Sequence, residues 1–193
     1  MKKILAAIVL PLVLVACADT PPPAVKVETD MGPKINLDVL SVVVLDRTEP
    51  LGGRSLYNTN DFQPTIATAV REWATDKLVA TGSTGQAIVV IRDASLKYEV
   101  LPHKDDMFTR EQASKYIGHA AVEIDVTGRE GHGQVSADAS RFATLPEEPS
   151  ALERKNAYAK MLNGLTADLA AKLRVGIKDH IGSYVITAPI LPQ

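Results

Sequence analysis

Apolar and polar residues form two kinds of pattern along this chain, and the first stretches predict a strand followed by a helix. Over residues 35–46 apolar residues first alternate with polar ones and then become almost continuous. This predicts a strand that is covered on both faces or bent by a bulge. Over residues 62–80 apolar residues recur every three or four positions, as on a helix capped by Asn60 or Asp61. We expect its Trp73 face to pack on the sheet.

The middle of the chain predicts three further strands. Residues 86–101 are apolar in their first half and alternate in the second, which predicts a long strand with one covered and one wet end. Its expected inward set is Ala94, Leu96, Tyr98 and Val100. Residues 120–127 alternate cleanly, and a glycine-rich turn leads into a strand over 134–143, so these two form a hairpin. Capping-box spacing predicts a short helix near 110–116, with an ordered loop as the alternative.

The longest helical pattern covers residues 151–181. Its apolar stripe consists of Tyr158, Leu162, Leu165, Leu169, Leu173, Ile177 and Ile181. Gly164 and Gly176 weaken the helix, so a kink or an early end near Gly176 is an alternative to a continuous helix. At about 45 Å the helix outreaches ordinary strands of roughly 17–20 Å. We therefore expect its far end to need a partner, and self-association through 151–181 is one candidate.

The element order strand, helix, three strands, helix defines the expected fold. It predicts an α+β domain over residues 35–186, with a single antiparallel or mixed sheet of about four strands. Two main helices pack on one face of that sheet. Residues 184–186 are the candidate for a short extra strand, and residues 187–193 are expected to form an extended tail with prolines.

The first residues follow a different pattern. Residues 4–15 form an apolar stretch behind Lys2 and Lys3, and small residues follow it. This arrangement is typical of a secretory signal peptide, here residues 1–16. The apolar stretch has 12 residues, whereas a helix needs about 20 to cross a bilayer. We therefore expect cleavage rather than a membrane span.

The signal peptide ends in the run Leu14-Val15-Ala16-Cys17. This run resembles the lipobox of bacterial lipoproteins. The resemblance implies cleavage between Ala16 and Cys17, a diacylglycerol thioether on the Cys17 sulfur, and acylation of the new amino group by a fatty acid such as palmitate. Cysteine suits this role because its thiolate is a strong nucleophile. Such an anchor carries more than one fatty acyl chain, and stable membrane attachment requires more than one.

The residue after the lipidated cysteine bears on which membrane is reached. In the enterobacterial pattern an aspartate at that place keeps a lipoprotein in the inner membrane. Here Ala18 occupies it and Asp19 comes next. The periplasmic leaflet of the outer membrane is therefore favoured over the inner membrane.

Residues 17–34 differ in composition from the domain that follows. They include three consecutive prolines, Pro21 to Pro23, and several charged residues. Such a composition predicts a flexible, proline-rich tether that holds the domain clear of the headgroups. A short strand through Val25 and Val27 is the alternative.

Charge and cysteine content exclude several classes of function. The chain has 21 Lys plus Arg and 23 Asp plus Glu, so removing Lys2 and Lys3 leaves 19 against 23. A mildly acidic mature chain argues against a nucleic-acid partner. Cys17 is the only cysteine. Once it carries lipid, disulfides, thiolate metal sites and cysteine nucleophiles are excluded.

The remaining polar residues predict no catalytic, cofactor or metal site. The histidines are His103, His119, His132 and His180, and none has a metal-ligand spacing. His103 with Asp105 and Asp106 is better explained as a solvated loop. Glu123 and Asp125 share one strand face about 7 Å apart, where solvated carboxylates are the ordinary explanation. Residues 82–85 form neither a nucleophile elbow nor a phosphate loop. We therefore predict a protein without enzymatic activity or cofactor.

Behind a lipobox and a tether, this element order resembles that of small envelope lipoproteins that serve as assembly or transport-auxiliary factors. The resemblance implies an accessory or binding factor of the cell envelope, anchored in the bilayer through Cys17 and bound to an envelope protein or lipid. The alternative is a lipid or small-ligand carrier with its pocket between helix 62–80 and the sheet. A hydrolase is less favoured.

Overall fold

A computed structural model describes residues 23–28, 32–48, 62–102 and 112–186 of the chain. The elements are β1 (Ile35–Leu37), β2 (Ser41–Asp46), α1 (Ile66–Lys77), β3 (Leu78–Ala80), β4 (Gln86–Val100), β5 (Gln112–Gly128), β6 (Gly131–Pro146) and α2 (Ala151–His180). The main sheet has the order β2-β4-β5-β6 and is mixed, because β2 is parallel to β4 while the other pairs are antiparallel. Both helices share one core with it, which confirms the α+β prediction.

The predicted strand over residues 35–46 is in fact two strands that belong to two sheets. The chain bends at Asp38, and β1 pairs in parallel with β3 rather than with the main sheet. The chain at Gly82, just after β3, packs closely on this bend, since a Cβ at Gly82 would overlap the Asp38 carboxylate. A glycine at this position lets the chain after β3 approach the bend after β1.

Helix α1 is shorter than the predicted helix over residues 62–80. Thr65 is its N-cap and accepts a hydrogen bond from the Thr68 amide, whereas the predicted caps, residues 60 and 61, lie outside the described residues. The helix ends at Lys77 because Leu78 adopts an extended backbone and pairs with Ile35. Trp73 is 3% exposed, which confirms that its face packs in the core.

Strand β4 is covered in its first half and open in its second. Ala87, Val89 and Ile91 are fully buried, a bulge follows Ile91, and Tyr98 and Val100 are 41% and 70% exposed. The predicted wet end of this strand is therefore confirmed, although Tyr98 and Val100 of the expected inward set are exposed in it. The physical reason is that β2 ends opposite Ile91, so that only β5 pairs with the rest of β4 among the described residues.

Strands β5 and β6 form the predicted hairpin, but both are longer than the sequence indicates. β5 begins at Gln112, so the short helix predicted near 110–116 is wrong where the structure describes it. Every second residue from 114 to 126 is buried against the helices. This alternation of buried and exposed residues determines that the segment is a strand, although the capping-box spacing predicts a helix.

Helix α2 is continuous through Gly176 and buries the whole predicted stripe. It runs antiparallel to β6, with Gly176 against Val135 and Lys172 bonded to the Asp138 carbonyl. β5 and β6 have 17 and 16 residues, about 50 Å at the usual rise, and therefore match the helix in length. The expectation that α2 outreaches its sheet is therefore wrong, and self-association through 151–181 stays a prediction.

The chain after α2 forms a 3-10 turn over Gly182–Tyr184 in place of the predicted strand over 184–186. Val185 makes a single antiparallel bridge to Leu37. The predicted tail over 187–193 and signal peptide over 1–16 lie outside the described residues.

Candidate functional site

Residues 23–28, which we call the docked segment, lie along α2 and are held there by two asparagine side chains. The Asn156 amide accepts from the Val25 N–H at 2.8 Å and donates to the Pro23 carbonyl at 3.0 Å. The Asn163 amide repeats this, accepting from the Glu28 N–H at 2.9 Å and donating to the Lys26 carbonyl at 2.8 Å. Each asparagine side chain thus accepts from the N–H of one residue of the segment and donates to the carbonyl of the residue two positions earlier.

The spacing of the two asparagines matches the rise of the segment they hold. Seven residues separate Asn156 from Asn163, which is about 10.5 Å along a helix. Three residues separate Val25 from Glu28, which is about 9–10 Å of extended or polyproline-type chain. Because the contacts are to backbone atoms, the pair fixes the position of the segment without selecting its side chains.

The docked segment continues toward β1 along the same helix. The Arg174 guanidinium donates to the Pro33 carbonyl at 2.6 Å, and Val27 packs against the core. The prediction of a flexible tether over 17–34 is therefore corrected for residues 23–28 and 32–34, where side chains of α2 hold the backbone. No strand forms through Val25 and Val27 among these described residues. Asn156, Asn163 and Arg174 were not predicted as functional, since polar residues on an amphipathic helix look like solvated ones.

The docked segment begins at the end of the main sheet where β4 no longer pairs with β2 and where Tyr98 and Val100 are exposed. We call this the open end, formed by residues 98–100 of β4, 112–116 of β5 and 143–146 of β6. Because α2 runs antiparallel to β6, its first turns, which include Asn156, lie at this end. Pro23, the first described residue of the docked segment, therefore lies at the open end.

Aromatic rings tie the open end together. Phe62 packs edge-on against Tyr116 and Tyr158, with ring centroids 5.3 and 5.1 Å apart, and Tyr98 lies 5.9 Å from Tyr116. The Tyr158 hydroxyl donates to the Pro64 carbonyl at 2.8 Å, and burial raises the pKa of this phenol. Tyr116 and Tyr158 are buried while Tyr98 is half-exposed, so the cluster joins the core to the surface.

Two carboxylates of β5, Glu123 and Asp125, lie on the sheet face away from the helices, and Glu123 forms an ion pair with Arg92. Glu123 accepts hydrogen bonds from Arg92 and from Gln134 at 2.8 Å each. The hydrogen bond from Arg92 is the main cause that lowers the pKa of Glu123, and the one from Gln134 lowers it further. Asp125 lies 3.7 Å from His132, whose side chain is 62% exposed. A carboxylate held ionised by an arginine is a poor proton donor near neutral pH, so this pair does not resemble an acid–base dyad.

The other residues considered for chemistry do not come together. His119 is half-buried opposite Ser95 and Ser140, while His180 is exposed in the last turn of α2. Residues 82–85 form the turn between β3 and β4. Cys17, His103, Asp105 and Asp106 lie outside the described residues. Within the described residues, no group of three His, Cys, Asp or Glu side chains is arranged to hold a metal ion.

The interface predicted to hold a ligand pocket is filled with side chains where the structure describes it. Ile66, Val70, Trp73 and Ala74 of α1 are at most 3% exposed against the sheet. A surface groove of about 470 Å³ lies elsewhere, near the end of α2, and is lined by Ile35, Arg174, Ile177, Lys178, Gly182 and Val185. The carrier pocket between helix 62–80 and the sheet is therefore not supported.

Among the described residues, neither helix combines the length and the apolar composition that crossing a membrane requires.

The chain is similar in structure to several bacterial lipoproteins. Rare lipoprotein B from Shewanella oneidensis is 11% identical, with a TM-score of 0.38, over 71% of this chain and 92% of that one. A minor lipoprotein from Acinetobacter baumannii is 10% identical, with a TM-score of 0.37, over 81% and 99%. An uncharacterized lipoprotein B from Nitrosomonas europaea is 12% identical, with a TM-score of 0.34, over 74% and 85%.

No protein-family model matches the chain, and no curated protein matches it.

Proposed function

We propose that this protein is a lipid-anchored, periplasm-facing lipoprotein that acts without catalysis as a binding factor of the bacterial cell envelope. Its anchor is Cys17, which carries the diacylglycerol thioether and the N-linked fatty acid once the bond after Ala16 has been cut. The partner is an envelope protein or lipid that the domain meets near the membrane surface. Assembly or transport of an envelope component is the role we propose for this contact.

The observation that carries the proposal is the docked segment. Six residues lead from Cys17 to Pro23, and at 3.3–3.6 Å per residue they span at most about 20 Å. Four hydrogen bonds from Asn156 and Asn163 hold the chain from Pro23 onward on α2. A domain held this close to its lipid works at the membrane surface, whereas a freely diffusing carrier gains nothing from such a contact.

In-cell crosslinking followed by mass spectrometry tests this function. The protein is expressed at its native level in its own bacterium, and intact cells are treated with a short crosslinker. We expect crosslinks to envelope proteins or lipids that disappear in Cys17→Ser, while the thermal unfolding of the purified domain is unchanged. Crosslinks that persist unchanged in Cys17→Ser, or that include no envelope component, contradict the proposal.

The outer membrane is the proposed location, because Ala18 rather than aspartate follows Cys17. Fractionation of the inner and outer membranes tests this choice. We expect the natural chain in the outer membrane fraction and Ala18→Asp in the inner one. The natural chain in the inner membrane fraction contradicts the location but not the lipid anchor.

A further inference from the structure

We propose that the open end rests on the lipid bilayer itself, with Tyr98 and Val100 in contact with the headgroup region. This inference rests on the proposed lipid anchor at Cys17 and adds an orientation to it. The strands of the main sheet then stand on the membrane, and the last turns of α2 point away from it.

The first step is the length of chain between lipid and domain. If residues 17–34 were a free tether, the 18 residues from Cys17 to Ile35 would reach about 60 Å when fully extended. Because Asn156 and Asn163 hold residues 23–28, only the six residues up to Pro23 remain, with a reach of about 20 Å. We call Asn156 and Asn163, with their hydrogen bonds to the docked segment, the clamp. The clamp shortens the reach of the chain between Cys17 and the domain about threefold.

The second step is the place where the short chain starts. Pro23 is held by Asn156 in the second turn of α2, whereas Arg174, near the far end, holds Pro33. The docked segment thus runs from the open end toward the opposite end of α2. A lipid attached six residues before Pro23 keeps the open end, rather than the Arg174 end, beside the membrane.

The third step is the chemistry of the surface that this places at the membrane. Tyr98 and Val100 are 41% and 70% exposed on one side of β4. A tyrosine ring with a polar hydroxyl is favoured at the membrane interface, where its apolar body and polar tip are both satisfied. Beside them Lys115 pairs with Glu99 at 3.1 Å. This paired charge predicts a contact that does not depend on anionic lipid.

Depth-dependent fluorescence quenching tests this orientation on the full lipidated chain. The sulfur of Cys17 is consumed by the lipid, so one introduced cysteine carries the only thiol. We place an NBD fluorophore on Val100→Cys, and on Val175→Cys as the matched control, because Val175 is 61% exposed near the far end of α2. A third label on Phe142→Cys, 67% exposed on the helix-free face, reports a domain lying flat.

The labelled proteins are reconstituted in phosphatidylcholine vesicles that contain headgroup-proximal doxyl lipid, with and without phosphatidylglycerol. We expect quenching at position 100 to exceed that at 175 several-fold in both compositions. Equal quenching at 100 and 175, stronger quenching at 142 than at 100, or quenching at 100 only with phosphatidylglycerol overturns the proposal. A protein partner seated on the open end instead would shield position 100 from water without quenching it, which also overturns it.

Two further measurements separate this inference from the proposed function. Flotation of the vesicles reports anchoring alone: a protein that does not float overturns both, whereas one that floats without the quenching pattern overturns only the orientation. In the double variant Asn156→Ala/Asn163→Ala the reach lengthens, and we expect quenching at position 100 to fall severalfold while flotation is unchanged. Unchanged quenching in this variant, with circular dichroism showing a folded domain, contradicts the role of the clamp.

Discussion

The two ends of the main sheet are built from the same strands but are covered differently. At the closed end, which we define by residues 86–91 of β4 and 131–135 of β6, β4 lies between two strands and under helices. Val89 is fully buried there, and Gly133 and Gly176 allow Ile181 and Val135 to approach closely. At the open end β4 keeps only β5 as a neighbour among the described residues, and Val100 is 70% exposed.

The two ends of β4 therefore differ in burial within one strand. Apolar residues in its first half are buried in the core, whereas Tyr98 and Val100 near its end are 41% and 70% exposed. Tyr98 and Val100, two residues apart on one side of β4, form the surface that we propose contacts the membrane. If Cys17 carries the lipid anchor that we propose, the docked segment places that surface next to the membrane.

The largest expected effect compares the same substitution at the two ends of β4. Val89→Ala removes two methyl groups from a fully buried site and is expected to cost about 2 kcal/mol of unfolding free energy. Val100→Ala is expected to change it by less than about 0.5 kcal/mol. Urea unfolding of both variants checks this. Equal losses at the two sites would mean that the open end is covered as well as the closed end.

Substitution of Tyr158 measures how much the buried phenol of the aromatic cluster contributes to stability at the open end. Its folded-state pKa is raised by burial, so its contribution to stability is present below the ordinary phenol pKa and is lost as the pH rises above it. Tyr158→Phe loses the hydrogen bond to Pro64, at a cost of about 1 kcal/mol near pH 7. Its stability is expected to fall less steeply than that of the natural chain above about pH 10.

Thermal unfolding as a function of pH measures this effect, with Tyr98→Phe as the control at an exposed position of the same cluster. Parallel alkaline limbs for Tyr158→Phe and the natural chain would show that the phenol is not buried.

The two glycines of α2 compare packing along one helix. A Cβ at Gly164 would meet the Arg141 side chain at an ordinary 3.7 Å, so Gly164→Ala is expected to stabilise by about 0.5–1 kcal/mol. A Cβ at Gly176 would lie 2.7 Å from Val135, so Gly176→Ala is expected to lose that gain or to destabilise. Differential scanning calorimetry distinguishes the two. A rise in Tm for both variants would contradict the close packing at the closed end.

The smallest expected effect is a local change in hydrogen exchange when either asparagine of the clamp is substituted. Asn163→Ala is expected to remove the protection of the Glu28 amide against hydrogen exchange while that of Val25 persists, and Asn156→Ala is expected to do the reverse. Exchange measured by NMR resolves the two amides. If either variant exposes neither amide, the asparagines do not hold the segment, and the open end is not tied to the anchor.

The sequence predicts the parts of this fold in which one periodicity persists over many residues. The stripe of α2 and the alternation in β5 each repeat often enough to settle the type of element. Residues 78–80 are the contrary case, since a short apolar run continues a helix as well as it forms a strand. The choice between them is made by pairing with β1, about 40 residues away.

The candidate site was less predictable, for the same physical reason. An asparagine on the polar face of a helix carries no signal by itself. The role of Asn156 and Asn163 arises from a segment more than 130 residues earlier in the chain. The alternation in the second half of β4 indicates a wet end, but the pattern does not reveal where β2 ends, and the exposure of Tyr98 and Val100 depends on this.

Mass spectrometry of the mature protein tests the central claim most directly. The intact protein is purified from membranes of its own bacterium, and its N-terminal peptide is sequenced. We predict a chain that begins at Cys17 and carries a diacylglycerol thioether and an N-linked fatty acid. A mature chain that begins elsewhere, or one with an unmodified Cys17, would contradict the lipid anchor and every orientation built on it.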